Sequence, residues 1–135
     1  MSTIFPNIRK LLETQLATTV GVPEIAWENV KFEPTTDTPY VKPTTILTIR
    51  RPACVGPNPQ QYYQGILILE CYTPNNKGPS EVDALVSLLT DRFEATSTIS
   101  DGTVALQIRT AEHGQGLSDG PWHKTIISIS WHTYY

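Results

Sequence analysis

The segment 25–43 restricts the fold of this chain most, because three of its residues are proline. Pro34, Pro39 and Pro43 each lack a backbone N–H, and each pushes the preceding residue toward extended geometry. A helix therefore cannot run through this segment. We expect it to form a strand that leads into an extended, proline-rich arm at about residues 33–44.

Strands are predicted on both sides of this arm. Val30 and Phe32 alternate with charged residues, which is the period of two that a half-buried strand shows. Other stretches have the same alternation or a continuous run of apolar, β-branched and aromatic residues, and glycine, proline and asparagine between them predict loops. These further strands are expected over residues 44–50, 62–72, 96–100, 104–108 and 124–134, and the loops over 53–61 and 113–121.

Two amphipathic helices accompany the strands. The first is predicted to begin at Ile4, with a stop at Gly21 and Pro23. The second is predicted to begin at Ser80, an N-cap residue that is followed by acidic residues. The apolar positions that fall on one face, and that we expect to be buried, are Ile4, Ile8, Leu11, Leu12 and Leu16 on the first helix and Val82, Leu85, Val86, Leu89 and Phe93 on the second.

This order of elements predicts one α+β domain over residues 1–135, in which two helices pack on one face of a mainly antiparallel sheet. A chain of this size buries about two-thirds of its unfolded surface, which is enough for a core of its own. Only 17% of its residues are charged, whereas about 25% is usual for soluble domains. Prolines and threonines take up that surface instead, so we expect packing against neighbouring subunits.

Charge and hydropathy argue against two kinds of partner. The formal charge is −3, and lysine and arginine are not clustered as they are in proteins that neutralise phosphates. The longest apolar run is strand-sized, far below the roughly 20 residues that a membrane-spanning helix needs. We therefore expect neither specific nucleic-acid binding nor a membrane segment.

No motif in the sequence points to a catalytic, metal or cofactor site. Cys54 and Cys71 lack a CxxC spacing, and we expect both to be reduced, although only their separation in the fold decides whether they can pair. His113, His123 and His132 are too far apart for a local metal motif. We predict that the protein is not an enzyme. A small enzyme whose site is assembled from distant residues stays an alternative.

Aromatic residues carry the remaining signal. Tyr40 lies between two prolines on the arm, which cannot form a core by itself, so we expect its ring to dock on a neighbouring subunit. On this hypothesis, Tyr40→Ala weakens assembly and leaves the melting of the monomer nearly unchanged. The candidates for an intermolecular contact are Trp27, Tyr40, Arg50, Arg51, Tyr62 and Tyr63.

These features together resemble the tail terminator, or tail completion, proteins of long-tailed bacteriophages. The resemblance rests on the short N-terminal helix, the segment 25–43, the strand start Gly-Ile-Leu-Ile-Leu at 65–69 and the turn Pro-Asn-Asn-Lys-Gly at 74–78. It covers nearly the whole chain. Its motifs are patterns of fold and turn and contain no reactive groups.

The resemblance implies a small structural protein of the virion without enzymatic activity or cofactor, assembled in the host cytoplasm. Such a protein forms a six-membered ring on the head-proximal end of the tail tube, ends tube polymerisation and offers the surface that joins the tail to the filled head. Its partners would be further copies of itself, the tail tube protein and a head completion or connector protein, and DNA would pass through the ring. A head-to-tail connector and a tail tube subunit are the competing interpretations.

Overall fold

A computed structural model describes residues 4–33, 38–52, 61–74, 80–100, 104–114, 116–119 and 122–135. These residues form two helices and a sheet. The helices are α1 (Ile4–Ala17) and α2 (Ser80–Arg92), and the strands are β1 (Glu24–Ile25), β2 (Tyr40–Pro52), β3 (Gln61–Pro74), β4 (Thr98–Ser100), β5 (Ala105–His113), β6 (Leu117–Asp119) and β7 (Trp122–Tyr134).

The strands form one sheet in the order β1-β2-β3-β7-β5-β4, and β6 pairs with β7 outside this path. All pairs of neighbours are antiparallel except β1 and β2, which are parallel. The helices contact each other and cover one face, α1 against β2 and β4, and α2 against β3, β5 and β7. The predicted α+β fold, with two helices on one face of a mainly antiparallel sheet, is confirmed.

The core lies between the helices and this face of the sheet. Every apolar position predicted to face inward on the two helices is buried. Opposite them, the odd-numbered residues of β3 and β7 point into the core, because side chains alternate along a strand. The most deeply buried of these are Leu67, Leu69, Cys71, Ile127, Ile129 and Trp131.

The C-terminal ends of the two helices are joined by reciprocal hydrogen bonds. Arg92 Nε donates to the carbonyl oxygen of Gln15 at 3.2 Å, and Gln15 Nε2 donates to the carbonyl oxygen of Arg92 at 3.0 Å. Arg92 Nη2 also donates to Thr18 Oγ1 at 2.9 Å. The last turn of a helix leaves carbonyl oxygens without partners, and this exchange satisfies one at each helix end.

The predicted strand at Val30 and Phe32 is wrong. Asn29 has a φ of 59°, and the N–H of Val30 donates to the carbonyl oxygen of Trp27 at 3.2 Å, so the chain turns here. Val30 is 60% exposed. The alternation of apolar and charged residues is real, but a left-handed residue directly before it prevents an extended chain from continuing.

The predicted arm is only partly an arm. Strand β2 begins at Tyr40, and Tyr40 and Val41 pair with the two residues of β1. Residues 40–44 therefore belong to the sheet, because Pro43 is compatible with a strand whose other side lacks a ladder partner there. Residues 34–37 lie outside the described residues.

The predicted loops have different outcomes. The glycine-rich segment 113–121 contains β6, which pairs with the start of β7. Gly116 packs so closely on the imidazole of His123 that a Cβ at this position would overlap with it. Of the loop predicted over 53–61, Gln61 belongs to β3, and 53–60 lie outside the described residues.

Gly65 is needed where β3 crosses the core. A Cβ placed on Gly65 would overlap with the carbonyl oxygen of Ile46 on one side and with the indole ring of Trp131 on the other. Trp131 is fully buried and pairs with Gly65 across β3 and β7. The missing side chain thus makes room for the largest ring of the core.

We predict that Gly65→Ala lowers the free energy of unfolding by about 1–3 kcal/mol, because Trp131 or the neighbouring strand must shift to admit the methyl group. Urea unfolding followed by tryptophan fluorescence measures this change. Gly114→Ala is the matched control, since a Cβ there has no heavy atom within 4 Å. Equal stability of the two variants would contradict the packing described for Gly65.

Candidate assembly surface on the open face of the sheet

Neither helix covers the second side of the sheet. We call it the open face, and it consists of the even-numbered residues of β3 and β7 with their lateral neighbours on β2 and β5. A band of isoleucines crosses its centre. Ile46 is 39% exposed and Ile49 is 37% exposed, and Ile66, Ile68 and Ile126 are half-buried. A contiguous apolar surface of this kind is typical of a contact site.

An aromatic cluster lies at one end of the open face. The ring of Tyr40 stacks on Tyr72 with centroids 4.5 Å apart and meets Trp122 edge-on at 5.2 Å. Phe32 packs on the other side of Tyr40 at 5.1 Å. We call these four residues the Tyr40 cluster. Offset and edge-on pairs of this kind stabilise an assembly of rings beyond the area that they bury.

Charged groups border the Tyr40 cluster. Glu70 accepts a hydrogen bond from the hydroxyl of Tyr72 at 3.1 Å and forms an ion pair with Lys124 Nζ at 3.5 Å. The same ammonium group lies 5.8 Å from the centre of the Tyr72 ring. Lys42 lies opposite Glu70 in the register of β2 and β3 and is exposed. This end therefore combines rigid aromatic surface with both signs of charge.

A second aromatic cluster lies at the other end of the open face. Tyr62 contacts Tyr134 at 5.2 Å and His132 at 6.0 Å between ring centroids, and the guanidinium of Arg51 lies 5.0 Å above the Tyr62 ring. We call these four residues the Tyr62 cluster. Tyr134 is 53% exposed, whereas the Tyr62 ring is nearly covered.

A glutamine holds this second end together. Gln64 Oε1 accepts hydrogen bonds from the hydroxyl of Tyr62 at 2.8 Å and from Arg109 Nη1 at 3.3 Å. Partial burial lowers the pKa of His132, and the positive charge of Arg109 lowers it further. His132 is therefore neutral at pH 7, and the arginines alone give this end its positive charge.

The outer edge of β2, which borders the open face, is protected. The N–H of Thr45 donates to Glu28 Oε1 at 3.1 Å, and Arg9 Nη1 on α1 binds Glu28 Oε2 at 3.0 Å. The carbonyl oxygen of Val41 accepts from Ala26 N–H at 2.8 Å. Pro43 lies between these two positions and has no N–H to offer. Blocked groups of this kind keep an edge from pairing with another strand.

The residues predicted from sequence for intermolecular contact lie in different places: on the open face, in the core and outside both. Arg51 and Tyr62 are neighbours in the Tyr62 cluster, and Tyr40 lies at the opposite end of the same face. Tyr63 is 2% exposed and packs in the core, so it is not a surface residue of the folded subunit. The remaining two lie outside the open face: Arg50 is exposed with its guanidinium 5.5 Å above the Tyr63 ring, and Trp27 is half-buried against the core.

Sequence reasoning missed several members of this surface. Tyr72, Trp122, Tyr134 and Arg109 belong to it because of the lateral register between strands that are distant in sequence. The period-two alternation already marked the outward residues of each strand. It gave no information on which of them are neighbours.

The described residues give little support for reactive chemistry. They contain no group of three or more histidine, cysteine, aspartate or glutamate side chains that could hold a metal ion. Cys71 is a buried free thiol in the core, and burial raises its pKa from 9.0 to about 12. A thiol in this state is not a nucleophile near neutral pH. Among the described residues, no helix is both long and apolar enough to cross a membrane.

The subunit thus has one face covered by helices and one open face that carries aromatic and apolar side chains. The model of the phage tail terminator protein family matches residues 7–131. The chain therefore belongs to the phage tail terminator family, and the resemblance inferred from sequence is confirmed. A search of curated proteins finds no match. A solved structure that is 22% identical superposes with a TM-score of 0.74 over 95% of this chain and 94% of the other, which shows the shared fold.

Membership of this family establishes a structural role in completing the phage tail. The family is one of structural tail proteins and not of enzymes, and its members interact with other tail components. The protein is thus a component of the virion.

We predict that Tyr40→Ala destabilises the isolated subunit by about 1–2 kcal/mol, because the Tyr40 ring packs against three rings of its own chain. Thermal unfolding of the monomer measures this. Tyr135→Ala is the control, since it removes a ring that is 45% exposed. An unchanged melting temperature for Tyr40→Ala would instead support the sequence-based hypothesis that this ring serves only intermolecular docking.

We predict that Cys71 resists alkylation in the folded protein. Its raised pKa lowers the fraction of thiolate at pH 8 by about a thousandfold, and its side chain is buried. Iodoacetamide labelling followed by mass spectrometry tests this in a Cys54→Ser background, so that Cys71 is the one thiol. The same protein in urea should react quickly, and equal rates in the two conditions would show that the native thiol is reachable.

Proposed function

We propose that the protein ends the growth of the tail tube by forming a ring of six subunits on its head-proximal end. The exposed side of this ring then receives the head. The match of the tail terminator family over residues 7–131 carries the proposal. That match establishes a role in completing the tail. The ring, its six subunits and the joining to the head are what we propose in addition.

The shape of the subunit supports a ring. A ring needs a head-to-tail contact between two different surfaces of the same chain, whereas a symmetric contact would stop at a dimer. The subunit has two unlike sides, a helical layer and an open face with its isoleucine band. The open face is also apolar enough to gain from being covered in the assembled tail.

Other subunits are not the only partners in this proposal. The ring contacts the tail tube protein on one side and a head completion or connector protein on the other. DNA passes through its centre without specific binding, which is compatible with the formal charge of −3 per subunit. Trp27 and Arg50 lie outside the open face and are candidates for contacts with these other components.

Deletion of the gene for this protein from its phage tests the proposal. We expect electron micrographs of the lysates to show tails of irregular, excessive length together with detached filled heads, because nothing stops tube polymerisation. Expression of the intact protein from a plasmid should restore tails of uniform length, which links the defect to this protein.

Other outcomes would contradict the proposal and indicate one of two alternatives. Tails of normal length that fail to join heads would indicate a connector. A lysate without tails, or long tubes formed by the purified protein alone, would indicate a tail tube subunit. Isolated rings or monomers in the purified preparation fit a terminator, because such a protein must not stack on itself.

A further inference from the structure

We infer that neighbouring subunits of the ring meet face to back. The open face of one copy contacts the surface of the next that is formed by α2 (Ser80–Arg92) and the chain beside it, which we call the α2 side. This inference rests on the proposed ring and names the surfaces that build it. The partner of the open face is thus a second copy of this chain. Three features of the described residues support it: the protected sheet edge, the distribution of charge and the exposed apolar groups.

The protected edge argues against a ring built by extending the sheet. Along β2, the outward backbone groups at Val41 and Thr45 are already bonded within the subunit, and Pro43 between them has no N–H. A β-bulge between Leu47 and Ile49 then breaks the regular register. Head-to-tail strand pairing would need this edge in every subunit, and its blocked positions disfavour such pairing along residues 41–45. A contact through faces is therefore favoured.

The open face is basic although the chain is acidic. Among the described side chains of this face, the charged ones are four bases, Lys42, Arg51, Arg109 and Lys124, and two acids, Glu70 and Glu112. These six sum to a formal charge of +2, in a chain whose net charge is −3. Surfaces of opposite sign attract, so the partner surface should be acidic.

The α2 side of the subunit has the opposite character. Asp83 and Asp91 on α2, and Glu94 just after it, are exposed, and Glu81 is half-buried. Arg92 is the single base of α2, and its guanidinium is bonded to Gln15 and Thr18 of the same chain. Among the described residues, these four acids have no base within ion-pair distance. They are available to pair with the arginines and lysines of another copy.

Apolar groups on the α2 side match the isoleucine band. Val20 is 90% exposed, and the chain beside it at Gly21 lies against Leu88 of α2. A groove of about 220 Å³ runs along this contact between Pro23 and Ala84. An apolar centre bordered by complementary charge is the usual composition of a protein interface. A symmetric contact of two open faces would instead bring +2 against +2, and like charges across an interface are unfavourable.

Charge reversal on each side tests the inference. The open-face variant is Lys42→Glu with Arg51→Glu, and the α2 variant is Asp83→Lys with Asp91→Lys. We expect each to weaken ring formation at least about tenfold in protein concentration, because each brings like charges together. The combined variant keeps the net charge of the wild type and should recover ring formation. Mass photometry of the free protein, and electron microscopy with purified tail tubes, measure the rings.

The control is Lys10→Glu with Lys31→Glu, which changes the net charge as much as the open-face variant does but lies on α1 and in a loop. It should assemble like the wild type. Thermal unfolding shows whether each variant is folded. If a double variant is not, the single reversals Arg51→Glu and Asp91→Lys, alone and together, replace it.

The outcomes separate the two proposals. If the wild type forms rings and the open-face variant forms them equally well, the face-to-back contact is wrong and the ring stands. If each variant weakens the ring but the combined variant does not recover, the two surfaces do not meet. If the wild type forms no ring, alone or on tubes, both proposals fail.

Discussion

The structure depends on the burial of one face of a long antiparallel pair. Strands β3 and β7 run side by side over their whole length. Of the side chains on these two strands, only the odd-numbered ones face the two helices. Because side chains alternate along a strand, covering one face leaves every even-numbered residue on the other. The core and the open face are therefore two results of the same pairing. Gly65 and Trp131 fit together as direct partners within this pair.

The helices and most of the strands could be predicted from sequence because each has a local period. The apolar stripe of α2 and the alternation of β7 are visible without knowledge of the rest of the chain. The predictions failed where the structure depends on a single residue or on contacts between distant parts of the chain, because neither leaves a periodic pattern in the sequence. Val30 and Phe32 alternate like a strand, but the left-handed backbone of Asn29 turns the chain before them. Tyr40 has the sequence context of an arm, yet the rings of Phe32, Tyr72 and Trp122 hold it within its own subunit.

The candidate surface was less predictable than the fold. Arg51 and Tyr62 could be chosen as exposed and aromatic residues, and the structure places them together. Tyr63, the next residue, looked equivalent in sequence and lies in the core, because one step along a strand changes the face. Arg109 lies on β5, whereas Gln64 and Tyr62 lie on β3. Only the pairing of both strands with β7 brings the three residues into one hydrogen-bonded group. No local pattern contains that information.

The bond between Glu28 and Thr45 links two properties that are usually separate. One oxygen of this carboxylate covers an N–H of the sheet edge, and the other is held by Arg9 of α1. The position of the N-terminal helix and the closure of the edge thus depend on one shared carboxylate. Without Arg9, Glu28 would keep its bond to Thr45 but lose the partner that fixes its orientation, while Pro43 and the bond between Ala26 and Val41 would still block their own positions. The N-terminal helix therefore contributes to the protection of a sheet edge through a single side chain.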